Sequence, residues 1–323
     1  MATVVTKTIG AGGDYATLAL WEAATDIDIV SANEQHDGQL LGLSDLGSVD
    51  VNILGATTDA TRFRRLTFAT GKRYDPLTDT GAGITSSNSI RTLRWGESYF
   101  EAVGILSRNT GTGRCMNSTP AGDNFTLDSV YMDKTGASGY GMHTNHGSSA
   151  SVVKNCIAVS PRNTEVGFNS MNQPLTIYNC VAHGFADGFA IDDDLLSDIQ
   201  NCAGIHISGG EVFDTGSATY SNSECSNNLS TDGTAPGTSS HTSETAANVF
   251  RDTASRDYRL VSAHNNAVAG GVDLSSSFTT DIKGTTRSVW DIGAYFYKQV
   301  ALPLPYPFSA TGGRRPLSRI LRM

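Results

Sequence analysis

The sequence lacks any run of about 18 consecutive apolar residues, the minimum for a membrane-spanning helix, so no membrane association is expected. Its first residues, MATVVTKTIGAGG, lack a basic stretch followed by an apolar core, so no secretory leader is expected either. Charge is scarce as well: 17% of residues are Asp, Glu, Lys or Arg, and acids outnumber bases 32 to 23. The resulting net charge of −9 argues against nonspecific nucleic-acid binding by the body of the chain. Cysteines number only five, an odd count that fits buried thiols made in a reducing cytosol rather than a disulfide framework.

What the sequence has instead is glycine, 34 residues of it, with abundant Ser, Thr and Asn, and a phrase that returns. SVVKNCIA at 151–158, LTIYNCVA at 175–182, SDIQNCAG at 197–204 and a fainter NSECSN at 222–227 place Cys156, Cys180, Cys202 and Cys225 at intervals of 24, 22 and 23 residues. A period of this length marks stacked supersecondary units. Each copy alternates apolar and polar residues about Val153, Ile177 or Ile199, which reads as a short strand with one buried face. The pattern extends backwards without its cysteine to Val130 and Val103, and RFRRLTF at 62–68 and SIRTLRW at 89–95 read as earlier rungs. Seven to nine coils between residues 38 and 240 give a rod on the order of 40 Å long at about 4.8 Å per rung. The fold expected is all-β: a right-handed parallel β-helix with a short N-terminal capping helix and an extended C-terminal arm.

Equivalent positions stack in a solenoid, so the repeated pair predicts a structural ladder: Asn155, Asn179 and Asn201 at a turn, with Cys156, Cys180, Cys202 and Cys225 in an inward column. Stacked Cβ atoms about 4.8 Å apart exceed the usual disulfide span, and a linear column does not converge on a zinc ion. No metal and no cofactor is expected. At the N-terminus (1–37), Thr17 precedes an Ala/Leu-rich run with Tyr15, Leu18 and Trp21 near one face, which suits a helical plug for an open end. IGAGGD is a tight turn and not a phosphate loop, because no lysine follows at the required distance. Residues 38–240 form the coils and 241–297 a closing region. Two further clusters are weaker: MHTNH, with His143 and His146, reads as an exposed loop, and Arg62, Arg64 and Arg65 read as a solvated strand or contact surface.

TIGAGGDYATLALWEAA, the rungs KNCIAV and YNCVAH, CSNNLSTDGTAPG, VFRD, RDYRL and DIKGTTRSVWDIGAY together resemble the pectate-lyase-like right-handed parallel β-helix family, in particular its bacterial and phage members that end in an Asp-Ile-Gly-Ala-Tyr box. The resemblance spans roughly residues 6–297; HNNAVAGG at 264–271 and Phe296 depart from the usual phrases. The family includes lyases, hydrolases, adhesins and virion proteins, so the fold alone implies no activity. Its hydrolases carry an Asp-Asp step before a His-Gly step and an Arg-x-Lys on the following rung. Here the candidate stretch HGFADGFAIDDD, with His183, Asp187, Asp192, Asp193 and Asp194, has the reverse order, and the next rung, NCAGIHISGG, has neither Arg nor Lys. The primary expectation is therefore no catalytic residue; those five residues are the alternative, as an acid/base pair or a calcium site.

After Tyr297 the chain runs into residues 298–323, where Pro303, Pro305 and Pro307 favour an extended arm. Arg314, Arg315, Arg319 and Arg322 then alternate with Leu317, Ile320 and Leu321; without those four charges the chain would stand at −13 instead of −9. Such an arm reads as a docking peptide. These features point to a structural virion protein of a tailed phage, assembled in the host cytoplasm: a head decoration or, as a lesser option, a tail spike or fibre. Its expected partners are capsid or tail proteins of the same virion, sister copies in a homotrimer, and a host-surface polysaccharide. The alternative is a polysaccharide lyase or glycoside hydrolase, and the balance leans away from an enzyme.

Overall fold

In the computed structural model the chain is a parallel β-solenoid. The structure describes residues 1–89, 91–145, 149, 151–171, 173–192, 197–206, 209–214, 225–261 and 266–297. Eight parallel strands stack on the first face, in the order Thr3–Ile9, Glu34–Leu40, Arg64–Phe68, Glu101–Val103, Thr126–Asp128, Ser151–Lys154, Leu175–Tyr178 and Asp198–Gln200. Seven intervals of about 4.8 Å make this stack about 34 Å tall. A second face runs from Leu43–Asp45 through Gly83–Ser86, Leu106–Asn109 and Tyr131–Lys134 to Leu229–Ser230. A third face includes Val51–Ile53, Arg91–Trp95, Arg114–Ser118 and Met142–Asn145. The long strands Ile157–Met171 and Val181–Asp192 bend from the second face into the third and join them in one sheet.

The Asn-Cys phrase is a corner between two strands rather than one strand. Ser151–Lys154 ends the first face, Ile157 begins the second, and Asn155 turns the chain with φ 53°. Asn179, Asn201 and Asn227 do the same at 51°, 57° and 53°, as do Gly104 and Ser129 at 65° and 60°. This left-handed region is open to Gly and tolerated by Asn, which explains the residue types found there. Each corner N–H donates to the next rung, from Gly104 to the Asp128 carbonyl at 2.9 Å and so on to Asn227 and the Thr238 carbonyl at 2.9 Å. The corner is thus a continuous hydrogen-bonded column.

The residue after each corner points inward: Ile105, Val130, Cys156, Cys180 and Cys202, all buried. Val130 stands where its spacing predicts, but Ile105 rather than Val103 occupies the rung before it, since Leu106 pairs with Tyr131 and Val103 with Asp128. Cys225 also leaves the expected column. Leu229 pairs with Ala203, which puts Asn228 in register with Cys202, while Cys225 falls one column earlier, beyond Ile199. Asn228 continues the pattern chemically: the Cys156 N–H points at Cys180 Sγ (3.4 Å), the Cys180 N–H at Cys202 Sγ (3.5 Å), and the Cys202 N–H at Asn228 Oδ1 (3.0 Å). All five thiols are free and buried, and burial raises the Cys180 thiol far above its usual range.

Helix Leu18–Thr25 plugs the N-terminal end as expected, with Thr17 Oγ1 capping the Leu20 N–H at 3.3 Å and Leu18 and Trp21 fully buried. One arginine of RFRR overturns its reading as solvated. Arg64 is wholly buried beneath this plug, where its Nε donates to Glu97 Oε1 at 2.8 Å and its guanidinium also reaches the Leu54 and Glu22 carbonyls and Thr25 Oγ1. A fully paired charge can occupy such a site, whereas a partner lost would leave the other uncompensated. His143 is likewise buried, with Nδ1 2.5 Å from Asn169 Oδ1, rather than on an exposed loop; His146 lies outside the described residues.

On the second face the outward column is apolar too: Leu106, Tyr131, Ile157, Val181, Ala203 and Leu229. This stripe is sealed by the segment after residue 245, whose Val249, Phe250, Tyr258, Leu260, Ile282, Ile292 and Tyr295 bury it in a second core. The same segment grips the corner. Asn179 Nδ2 donates to the carbonyls of Asp291 (2.7 Å) and Gly293 (3.0 Å), Asn201 Nδ2 to Val272 (2.9 Å), and Asn227 Nδ2 to Gly270 (2.8 Å), while Arg287 donates to Asn155 Oδ1 at 3.1 Å. Gly271 is required by the close approach, since a Cβ there would lie 2.9 Å from the Asn201 side chain.

Asn179→Ala is expected to destabilise the fold by about 3 kcal/mol, combining strain at positive φ with loss of buried hydrogen bonds to the strap. Asn179→Gly relieves the strain and is expected to cost about 1 kcal/mol less; equilibrium unfolding in denaturant separates the two.

Candidate functional site

The only members of the acid/base candidate whose side chains are described are His183 and Asp187. Asp193 and Asp194 lie outside the described residues, as does the side chain of Asp192. Both described residues sit on the strand Val181–Asp192 but at different places, His183 paired in register with Val159 on the second face and Asp187 with Val166 past the bend. His183 faces outward beneath the closing segment. Its Nδ1 is 2.6 Å from the Tyr258 hydroxyl, and the two rings meet edge to face at 5.6 Å. Burial, with the Arg256 charge as a smaller contribution, lowers its pKa to about 4. Asp187 Oδ1 accepts the Glu211 N–H at 2.9 Å and so ties down the following rung. The two residues are committed to separate structural bonds.

A cavity of about 210 Å³ lies beside His183, bordered by Val159, Pro161, Thr253, Arg256 and Tyr258. Below it runs a chain of charges. Asp133, fully buried, accepts from Arg108 Nε at 2.6 Å and from Arg256 Nη1 at 2.7 Å, and Arg108 continues to Asp79 at 2.7 Å, where the Tyr74 hydroxyl also donates at 2.7 Å. Arg256 belongs to the closing segment, so this network fastens it to the coils.

The outer surface of the first face carries a groove, of whose charged residues sequence reasoning singled out only Arg65, as part of a solvated strand or contact surface. A depression of about 480 Å³ is bordered by Asp37, Arg65, Glu101, Asp128, Lys154 and Phe68. Its floor carries both signs: Arg65 bridges Asp37 (3.7 Å) and Glu101 (2.6 Å), and Lys154 lies 3.6 Å from Asp128. Beyond Lys154 the Tyr178 and Phe278 rings stack at 6.3 Å, with the ammonium 5.5 Å from the Phe278 centroid. The residues responsible are 37, 65, 101, 128, 154 and 178, neighbours only through strand register.

The docking arm lies outside the described residues, yet its base is fixed. Asp281 accepts the Phe296 N–H at 3.1 Å, and Asp291 accepts those of Ala269 and Tyr297 at 2.7 and 2.6 Å. Arg287, nearly buried, closes this anchor by donating to the Gly293 and Ala294 carbonyls at 3.3 and 3.0 Å, and burial lowers its pKa to about 10.

No protein-family model matches the chain, and no curated protein matches it. Among solved structures, a crystal structure of pectate lyase Pel9A is similar to it, with 11% identity, a TM-score of 0.38, and coverage of 91% of this chain and 98% of that one.

His183 supplies a pH signature. Its folded pKa lies below its ordinary value of 6.5, so below pH 6.5 the unfolded chain gains a proton that the folded chain refuses. Stability is therefore expected to fall by an amount on the order of 2 kcal/mol as pH drops from about 6.5 to about 4. In His183→Gln that part of the acid limb should flatten, as measured by thermal melts across the range.

Proposed function

We propose that the protein is a structural component of a tailed-phage particle: a rigid β-helix attached to capsid or tail proteins through residues 298–323, with sister copies joining in a homotrimer. The observation that carries this reading is the anchor at Asp281, Asp291 and Arg287, which holds the main chain at Phe296 and Tyr297 and so gives the arm a fixed point of departure. An arm rich in proline, arginine and leucine, launched from a braced point on an acidic body, suits attachment to a protein surface. The Asp-Ile-Gly-Ala-Tyr stretch that likens the sequence to phage and bacterial β-helices contributes Asp291 to that anchor. The structural duties of His183 and Asp187 weigh in the same direction, because neither is presented as an acid or base for a bound substrate.

A second reading rests on the first-face groove. Charges of both signs at Arg65, Glu101, Asp128 and Lys154, flanked by the Tyr178–Phe278 stack, suit a polysaccharide: the charges offer hydrogen bonds to hydroxyls and the rings an apolar face. In this reading the rod recognises a host-surface glycan while the arm holds it on the particle. Lyase or hydrolase activity would need the carboxylates of the 187–194 stretch.

A chain ending at Gln299 is expected to melt within a few degrees of the full chain yet lose co-sedimentation with particles; undiminished co-sedimentation would remove the docking role. For the groove, Lys154→Ala is expected to weaken glycan binding on an array of bacterial surface polysaccharides about tenfold, and unchanged binding would discard that surface.

A further inference from the structure

The third face carries a feature that neither reading uses. We propose that Arg91 and Arg114 form a binding site for a tetrahedral oxyanion, phosphate or sulfate, as the free ion or as an ester on a larger ligand. The two arginines are direct cross-strand partners in the parallel ladder between Arg91–Trp95 and Arg114–Ser118, and both border one cavity of about 260 Å³. Ser89 and Thr112 border it too and add hydroxyl groups at its edge.

Two like charges side by side on adjacent strands repel, so the arrangement needs compensation. Several other arginines of this fold obtain it from carboxylates: Arg62 from Asp59, Arg64 from Glu97, Arg65 from Glu101, Arg94 from Asp50, Arg108 and Arg256 from Asp133, and Arg259 from Asp257; Arg73 and Arg287 bond to main-chain carbonyls instead. Arg91 and Arg114 make no ion pair of this kind among the described residues. Arg114 donates to Asn117 Oδ1 at 2.6 Å and lies over the Tyr140 ring at 5.1 Å. Arg91 is positioned through its main chain, where the Asn88 side chain binds both its N–H (2.7 Å) and its carbonyl (2.5 Å), while its side-chain Nε is buried without an acceptor. A buried guanidinium donor without an acceptor is costly, and an oxyanion supplies acceptors in the geometry that guanidinium favours. Burial and the charges of Arg94 and Arg114 also push the Arg91 pKa down, a sign of unrelieved positive potential.

Two carboxylates belong to the account. Asp50 is bound by Arg94 at 3.3 Å and offsets the third positive charge. Glu165 stands exposed at the cavity and accepts a hydrogen bond from Tyr140, the ring on which Arg114 rests. Its charge acts on Arg114, but its exposure lets water screen it.

The test is titration of the full-length protein with inorganic phosphate and with methyl phosphate, followed by calorimetry and by melting temperature, against chloride at equal ionic strength. Saturable binding of phosphate beyond the chloride control is expected, weakened at least tenfold in Arg91→Gln and in Arg114→Gln and tightened in Glu165→Gln. Methyl phosphate binding equal to phosphate would identify an ester as an acceptable ligand; binding of phosphate alone would restrict the site to the free ion. In the absence of anion, Arg91→Gln should melt at or above the wild-type temperature, because it removes an uncompensated charge. A lower melting temperature with no anion effect would make Arg91 structural, and a phosphate response equal to that of chloride would overturn the site.

Discussion

A parallel solenoid depends on every coil turning the same corner, because one coil that turns differently breaks register for all those above it. Here that constraint is met by a column of left-handed residues from Gly104 to Asn227, each passing its N–H to a carbonyl of the next rung. The occupants change along the column for a physical reason. Glycine and serine serve at the first two rungs, whereas asparagine appears at the four where the closing segment makes hydrogen bonds to the corner. Asparagine meets two demands at once: it tolerates positive φ, and its amide offers a donor and an acceptor to a second piece of chain.

The remainder of the architecture follows from that second piece. The outward column Leu106–Tyr131–Ile157–Val181 would expose a continuous apolar stripe, each residue of which gains about 1.5–3 kcal/mol when covered. Residues 246–261 and 266–297 cover it, and polar contacts fix their position: the corner asparagines and the Asp133–Arg256 pair. Charges buried in this way add little net stability but penalise any displaced arrangement, since a shift of the segment would cost Asp133 its bond to Arg256 and Arg287 its bond to Asn155. The mutual dependence of coil and strap also explains why the strap's sequence carries Asp and Arg beside its apolar residues.

Much of the fold was legible because stacking writes itself into the sequence as a period. The intervals between Cys156, Cys180 and Cys202 announced the coils, and Thr17 with Trp21 announced the plug. What failed were inferences that treated a local phrase as a local object. ECSNN carries its register in Asn227 and Asn228, not in Cys225, because the corner asparagine rather than the cysteine is the constrained position. Arg64 looked solvated because nothing nearby in sequence reveals Glu97, 33 residues on, as its partner. The candidate surfaces were less legible still. Arg91 and Arg114, or Arg65 and Glu101, become neighbours only when rungs of unequal length are set in register. The anchors at Asp281 and Asp291, by contrast, fall within DIKGTTRSVWDIGAY, a phrase on which the sequence resemblance already rested.

A coiled body closed by its own C-terminal strap gives the functional reading its mechanical basis, since forces received beyond Tyr297 would pass directly into the corner column. The most direct measurement of that unity is amide hydrogen exchange followed peptide by peptide in the intact protein. If strap and coils are one cooperative unit, peptides from 267–297 and from 175–205 will share the slow exchange of global unfolding and respond in parallel to denaturant. Fast, denaturant-insensitive exchange of 267–297 over well-protected coils would contradict the account and reduce the strap to a loosely applied tail.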